Sequence, residues 1–251
     1  MTDRKTSNEI IAGRNPVIAA LQSETAIEKI YILRGVQGAQ IQKIRTLARQ
    51  KGILCVEIDR HKFREIVSDT TTQGVAALVE SKTYVGIQDI LNVATSKNES
   101  PFIAILDEIE DPHNLGAIIR TAECAGVHGV IISKHHSASI TTAVAKSSSG
   151  AIEFMPVAKV TNIANTIDEL KTLGIWVVGT IAEAEKNYTE IDYESPIAIV
   201  IGSEGSGIRR LVKEKCDFLV KIPMFGKTES MNASVAAALV MYEVVRKRKS
   251  W

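Results

Sequence analysis

The residues best suited to chemistry lie in short polar segments that each follow a buried apolar run. The first segment is Asp107–Gly116, and it leads into a helix of small and apolar residues that contains Arg120. If that guanidinium is buried it needs a partner, for which Glu204 or Asp107 would serve, whereas if it is open it can face a polyanionic substrate. Both interpretations stay open on this segment alone, as does a purely structural one in which Asn114 caps the helix.

A second segment, residues 202–207, is rich in glycine and reads Gly-Ser-Glu-Gly-Ser-Gly. Glycine permits positive φ and close approach of a ligand to main-chain amides, which suits an adenosine held through backbone contacts. An ordinary strand-to-helix turn explains the same residues equally well. The spacing does not match the nicotinamide motif GxGxxG, and neither Ser203 nor Ser206 matches the hydrolase motif GxSxG.

A third segment, residues 222–235, precedes an alanine-rich helix that Ser230 or Asn232 could cap. Its Gly-Lys-Thr at 226–228 resembles the end of a Walker A loop. That loop needs a further glycine at the position of Lys221, so a phosphate-binding P-loop is excluded.

The composition indicates a soluble globular protein of one or two domains, since 45% of the 251 residues are apolar and 24% are charged. No apolar run reaches the length of a membrane span, and the first ten residues lack the apolar core of a secretory signal, so we expect a cytoplasmic protein. Three scattered cysteines and five histidines without ligand spacing argue against a disulfide framework and against a metal site. The net charge of +1 does not by itself indicate a nucleic-acid binder, and the basic tail 246–249 suits phosphate or, more simply, a solvated helix end.

Hydrophobic patterning predicts two α/β domains, residues 1–80 and 101–251, joined by a polar linker over 81–100 in which 87–94 could form a short helix. In the first domain, helices are expected over 16–22, 39–50 and 62–67, and strands over 27–33, 53–58 and 75–79. In the second domain, apolar runs predict the strands Phe102–Leu106, Val127–Ile132, Ile175–Val178, Ile197–Ile201 and Phe218–Ile222. Such runs are typical of a parallel sheet covered on both faces, which binds ligands beyond the carboxyl ends of its strands.

The three polar segments, in this order, resemble the three motifs of the SpoU (TrmH-like) class of SPOUT methyltransferases. The matching residues are Asp111–Gly116 with Arg120–Ala122, Ile199–Gly205, and Ile222–Met224 with Ser230–Ala236. The resemblance covers roughly residues 101–246. It implies a carboxyl-terminal trefoil knot, a homodimer whose active site is completed near the subunit interface, and transfer of a methyl group from S-adenosylmethionine to an RNA ribose 2′-hydroxyl without a metal.

The resemblance also implies the site residues. Arg120 would lie beside the 2′-oxygen and Glu204 would hold it, while Asn114 would orient Arg120 or the ribose. We prefer Arg120 as an electrostatic stabiliser over Arg120 as a base, because a base would need a neutral guanidinium, which is costly near neutral pH. Ser230 and Asn232 would position the substrate. The cofactor would be contacted, mainly through the main chain, by Thr180, Gly202, Ile222 and Met231.

The amino-terminal segments 13–17 and 72–76 resemble the RNA-binding accessory domain of the same family, which implies that Arg14 and Asn15 help to grip RNA. With this domain the chain is most similar to enzymes that methylate a guanosine in 23S ribosomal RNA. Two positions depart from the family pattern: Met231 stands where leucine is common, and Thr72 where histidine is usual. The alternatives are a transfer-RNA methyltransferase, a ribosomal methyltransferase that confers antibiotic resistance, and a catalytically silent RNA-binding module.

Overall fold

The computed structural model describes residues 8–23, 25, 27–67, 72–80, 84–228 and 230–249. The chain divides into two compact units. The first unit comprises residues 1–83 and 140–154, and the second comprises residues 84–139 and 155–251. In the parts of the chain that the structure describes, no helix is long and apolar enough to cross a membrane.

The first unit is a four-stranded sheet with helices on both faces. Its elements are β1 Asn8–Ala12, α1 Arg14–Gln22, β2 Ile27–Leu33, α2 Ala39–Gln50, β3 Leu54–Ile58, α3 Arg60–Ile66 and β4 Val75–Glu80. The strand order is β1-β4-β2-β3, with β2 parallel to β3 and antiparallel to β4. Alternate β2 residues point to opposite faces, so Ile30 and Ile32 pack under α1 and α2, while Tyr31 and Leu33 face α3. The predicted helices and strands are confirmed to within two residues, and β1 is an element that the sequence pattern did not reveal.

An insertion from the second half of the sequence completes the first unit. Residues 140–154, which contain α6 Thr142–Ser147 and a 3₁₀ turn at Ala151–Glu153, pack against α1 and β1. Gly150 has a φ of +87°, and a Cβ built on it would lie 2.4 Å from the Cβ of Ala19, so this approach requires glycine. Nothing in the hydrophobic pattern signals the insertion.

The second unit is a seven-stranded sheet in the order β7-β6-β5-β10-β8-β11-β9, and every paired strand in it is parallel. Its strands are β5 Phe102–Leu106, β6 Gly129–Ser133, β7 Val157–Val160, β8 Trp176–Thr180, β9 Lys186–Asn187, β10 Ile197–Ile201 and β11 Phe218–Lys221. Its helices are α4 Ile87–Ser96, α5 Pro112–Cys124, α7 Ile163–Thr172, α8 Arg210–Lys215 and α9 Ala233–Lys249.

The predicted parallel sheet covered on both faces is confirmed. Helices α4, α7 and α8 pack on one face through residues such as Ile90, Ile167 and Val212, and every residue of β5, β6 and β10 is buried. Helix α4 occupies much of the segment predicted as a linker, and its Ile90 is fully buried in this core. Strands β7 and β9 were not predicted, because both are edge strands of at most four residues that contain a lysine.

Candidate functional site

The polar segments that follow β5, β10, β8 and β11 meet at the carboxyl edge of the seven-stranded sheet, around two adjoining cavities. One has a volume of about 550 Å³ and is lined by Glu108, Glu110, Asp111 and the cluster described next, so we call it the acidic cavity. The other, of about 630 Å³, is lined by residues 201–208 and by the segments after β8 and β11, and we call it the glycine-loop cavity. Ser203, Glu204 and Ser206 line both.

A carboxylate joined to two amides forms the centre of the acidic cavity. Glu204 Oε1 accepts hydrogen bonds from Asn114 Nδ2 at 2.7 Å and from Asn232 Nδ2 at 2.6 Å. Asn232 Nδ2 also donates to Asn114 Oδ1 at 2.9 Å. Three residues that are 90 and 28 positions apart in the sequence therefore fix one another's orientation, and all three belong to the predicted catalytic set.

The local helix structure explains why these side chains are free to meet. Helix α5 begins at Pro112 and its cap is Asp111, which accepts from His113 N at 3.0 Å. The suggestion that Asn114 caps α5 is therefore wrong, since Asn114 lies inside the first turn. Asn232 does cap α9, because its Oδ1 accepts from Ser234 N at 2.9 Å while its Nδ2 joins the cluster.

Two other residues of the predicted catalytic set lie outside this cluster. Arg120 is exposed and forms no hydrogen bond or ion pair with any residue that the structure describes, so the pairing with Glu204 that the resemblance implies is not formed within this chain, nor is the alternative pairing with Asp107. Glu204 is occupied by the two amides and Asp107 by another arginine, and Arg120 lies six residues beyond Asn114, roughly 9 Å further along α5. Ser230 lines the glycine-loop cavity instead.

The glycine-loop cavity brings together all four residues predicted to bind the cofactor: Thr180, Gly202, Ile222 and Met231. Thr180 is the last residue of β8, and Gly202 directly follows β10. Ile222 and Met231 lie in the segment between β11 and α9. Their roles stay a prediction, whereas their placement around one cavity is a property of the fold.

The loop that gives this cavity its name is unusually compact. The main chains of Ser203 and Gly207 exchange two hydrogen bonds, of 3.1 and 3.0 Å, and Gly207 has a φ of +66°. A Cβ on Gly202 would lie 2.1 Å from the carbonyl carbon of Gly207, so no other residue fits there. Opposite this loop, Thr180 Oγ1 is buried and has no hydrogen-bond partner among the described residues. A buried hydroxyl normally has a partner, so this one fits a site that a ligand completes.

One ion pair beside the cavities was not anticipated. Asp107, directly after β5, is fully buried and is bonded to Arg209, whose pKa is raised by that hydrogen bond. The only signal in the sequence is that a buried aspartate at a strand end needs a cation, and several cations qualified.

In the first unit the two segments that resemble the RNA-binding domain lie side by side. Arg14 donates from its Nε to the carbonyl of Gln73 at 3.3 Å, and its backbone N donates to Gln73 Oε1 at 3.4 Å. Asn15 Oδ1 accepts from Gln40 Nε2 at 2.9 Å. Thr72 is buried and its Oγ1 accepts from Gly74 N, so it shapes the turn rather than contacting solvent.

Comparison with known families gives two matches. Residues 101–242 match the model of the SpoU rRNA methylase family. Residues 10–85 match a model described as RNA 2′-O ribose methyltransferase substrate binding.

Individual proteins agree with these matches. The chain is 49% identical over 241 residues, 96% of each sequence, to a Bacillus subtilis protein named as a TrmH family tRNA/rRNA methyltransferase, YacO. The SpoU methyltransferase AviRb from Streptomyces viridochromogenes, solved with AdoMet, superimposes with a TM-score of 0.82 at 24% identity, covering 99% of this chain and 95% of that one. An AdoMet-bound rRNA methyltransferase from Sinorhizobium meliloti gives a TM-score of 0.79 at 25% identity, covering 96% and 88%. The predicted fold class is confirmed, and the trefoil knot stays a prediction.

Proposed function

Because the chain belongs to the SpoU rRNA methylase family, we propose that it transfers a methyl group from S-adenosylmethionine to the ribose 2′-hydroxyl of a guanosine in 23S ribosomal RNA. The observation that carries the proposal is the meeting of two features at one sheet edge: a glycine-loop cavity with an unpaired buried hydroxyl, and an amide–carboxylate cluster in the cavity beside it. The match of residues 10–85 to an RNA 2′-O ribose methyltransferase domain supports the ribose as the acceptor.

The glycine-loop cavity fits S-adenosylmethionine. When bound, this cofactor supplies a methyl group already activated by its sulfonium. There the Thr180 hydroxyl would gain the hydrogen-bond partner that it lacks, and the main chain at Gly202 and Ile222 would contact the ligand. Met231 contributes an apolar contact. Its side chain is similar in volume to leucine, so its departure from the family pattern leaves the site intact.

In the acidic cavity, Glu204 orients the substrate. One carboxylate oxygen, Oε1, is held by Asn114 and Asn232, whereas Oε2 has no hydrogen bond to a described residue. The free oxygen is available to accept a hydrogen bond from a ribose hydroxyl. Because the amides fix the carboxylate, that hydroxyl is aligned before the reaction, which is the contribution expected of a positioned group.

The lining of this cavity has four carboxylates and, among the described residues, no basic side chain. RNA phosphates and a developing oxyanion are both negative and would be repelled there. Arg120, exposed and unpaired within the described chain, supplies the cation in our proposal, either from the same chain or from a second copy.

We also propose the homodimer. Helix α9, which packs against α5, exposes Val235, Leu239 and Tyr242 at a spacing that places them on one face. Their exposed fractions are 48%, 38% and 42%, high for large apolar groups beside a functional site. A second copy packed on this face brings its own α5, and therefore its own Arg120, close to the interface.

The first unit grips the RNA in this proposal. Arg14 and Asn15 lie at the start of α1, beside Gln40 and Gln73, and form a polar surface of donors suited to phosphate and base edges.

The test is to incubate the protein with tritiated S-adenosylmethionine and, separately, 23S ribosomal RNA, assembling large subunits and transfer RNA, and to map the labelled nucleotide by mass spectrometry. We expect label in a 2′-O-methylguanosine of the ribosomal RNA, and about a hundredfold slower labelling with Glu204→Ala as the control. Label only in transfer RNA would keep the chemistry and overturn the substrate. Absence of both label and cofactor binding would overturn the proposal in favour of a silent RNA-binding module.

A further inference from the structure

The Asp107–Arg209 pair is the most completely bonded buried charge at the carboxyl edge of the sheet. Asp107 is fully buried. Its Oδ2 accepts from the backbone N of Arg209 at 2.9 Å, and its Oδ1 accepts from Nε at 2.8 Å and lies 2.6 Å from Nη2. Within the described chain, Arg209 is the only partner of this carboxylate. Its guanidinium also lies 3.6 Å from Glu108, which lines the acidic cavity.

The pair closes the loop between β10 and α8 at its base. The backbone N of Asp107 donates to the carbonyl of Ile201 at 2.9 Å, where the loop begins, and the carboxylate of Asp107 binds Arg209, where the loop ends. One residue therefore brackets the segment 202–208. The Ser203–Gly207 main-chain bonds close the loop on itself, whereas the contacts of Asp107 attach both ends of the loop to the residue directly after β5.

The bracketed loop carries parts of both cavities. Glu204, in its middle, is the acceptor for both amides of the acidic cavity, and Gly202 and Ser206 line the glycine-loop cavity. A shift of the loop would move the carboxylate and the cofactor wall together. Displacements of about 1 Å at a reacting centre cost on the order of a hundredfold in rate.

We propose that Arg209 is a positioning residue for the methyl transfer: through Asp107 it sets the place of the 202–208 loop, and thereby both cofactor affinity and the alignment of Glu204. This inference rests on the proposed function. It assigns a role to the planar fork of arginine, because lysine can supply the charge but cannot make the paired Nε and Nη2 contacts.

The experiment separates positioning from simple charge compensation in the full-length protein. Arg209→Gln removes the fork and leaves Asp107 buried without its cation, which destabilises the fold as well. The double variant Asp107→Asn with Arg209→Gln removes the buried charge too, so it regains stability without regaining the fork. Arg209→Lys is the conservative control. For each, equilibrium binding of S-adenosylmethionine, thermal unfolding, kcat and KM for RNA are measured.

We expect Arg209→Gln to weaken S-adenosylmethionine binding by about tenfold and to lower kcat by about tenfold or more, with KM for RNA within about twofold of the wild type. The double variant should recover most of the lost Tm but neither cofactor affinity nor kcat, and Arg209→Lys should be intermediate. Wild-type affinity and kcat in the double variant, or in folded Arg209→Gln, would overturn the inference. A wild-type protein that binds no S-adenosylmethionine would overturn the proposed function instead, and the inference with it.

Discussion

The two edges of the seven-stranded sheet use polar groups in opposite ways. At the amino edge, the Arg248 guanidinium donates to four backbone carbonyls, at 2.7 to 3.0 Å, and its Cζ lies 5.4 Å from the centroid of the Phe102 ring. At the carboxyl edge, Thr180 Oγ1 has no partner and Glu204 Oε2 has none among the described residues. Polar groups whose hydrogen bonds are all made within the protein stabilise the fold. Polar groups without a partner are free to bind a ligand, and the fold does not depend on them. Substitution of the unpartnered groups at the carboxyl edge should therefore impair function, and substitution of Arg248 at the amino edge should lower stability.

The largest effect expected at the carboxyl edge is that of Glu204→Ala. The substitution leaves the Nδ2 atoms of Asn114 and Asn232 without their shared acceptor, so the alignment of the ribose is lost. We expect kcat for RNA methylation to fall about a hundredfold. Tm should change little, because all three side chains are at least partly exposed.

Glu204→Gln is the matched variant, since it keeps the acceptor oxygen and removes the charge. It should lose less kcat than Glu204→Ala. A kcat for Glu204→Ala within about threefold of the wild type would contradict the assignment of the cluster to substrate orientation.

At the amino edge, Arg248→Met should have the largest effect on stability. This change keeps the apolar stem and removes four charge-assisted hydrogen bonds to the carbonyls of Ser100, Pro101, Tyr193 and Ser195. We expect the free energy of unfolding to fall by about 2–4 kcal/mol, measured by denaturant titration, with kcat of the folded protein unchanged.

Lys249→Met is the control for that measurement, because among the described residues Lys249 makes only an exposed 3.5 Å ion pair, with Glu99, and should contribute about 0–1 kcal/mol. If the two variants unfold alike, the contrast between the edges is wrong. The same result would favour the simpler interpretation of residues 246–249, in which they form a solvated helix end.

The sequence predicts the fold well where apolar runs are continuous and poorly where they are not. Strands β5 and β10 were predicted with their observed ends, because five consecutive apolar residues are typical of a strand in a sheet covered on both faces. Strand β7, which contains Lys159, was not predicted. The packing of residues 140–154 in the first unit was not predicted either. That packing depends on shape, such as the space that Gly150 leaves beside Ala19.

The site shows the same division. The motifs identified Asn114, Glu204 and Asn232, yet their mutual hydrogen bonds span up to 118 positions and no spacing rule contains them. The partner of Asp107 could not be chosen for the same reason: the sequence shows that a buried carboxylate needs a cation, and only the fold shows that Arg209, 102 residues away, is the one within reach.

A smaller effect at the carboxyl edge should come from Thr180→Val, which replaces an unpaired buried hydroxyl by a methyl of similar size. Stability should not fall, because no hydrogen bond is lost in the free protein. S-adenosylmethionine affinity should fall about fivefold, the equivalent of one net hydrogen bond of about 1 kcal/mol. Thr180→Ser, which keeps the hydroxyl, should bind like the wild type. Calorimetric titration checks both, and equal affinity for Val and Ser at this position would show that the hydroxyl is not part of the cofactor site.

A further effect concerns pH and belongs to the amino edge. Burial lowers the pKa of His128, whose Nδ1 accepts from the backbone N of Phe102 at 3.0 Å, so its proton sits on Nε2 toward Glu99. Since the unfolded chain binds this proton more readily, the free energy of unfolding should fall as pH is lowered through about 6.5, by up to about 1.4 kcal/mol between pH 7.5 and 5.5. The lowered pKa of Glu99 acts only below about 4.5 and does not enter this window.

His128→Asn should flatten that pH dependence, and His136→Gln, at an exposed histidine paired with Glu110, should leave it in place. An unchanged slope in His128→Asn would mean that the buried ring is not the source. The slope should also be absent from S-adenosylmethionine affinity, because His128 lies at the amino edge and the glycine-loop cavity at the carboxyl edge. A cofactor affinity that followed the same titration would show that the two edges are coupled, and the separation of stability from function would then have to be given up.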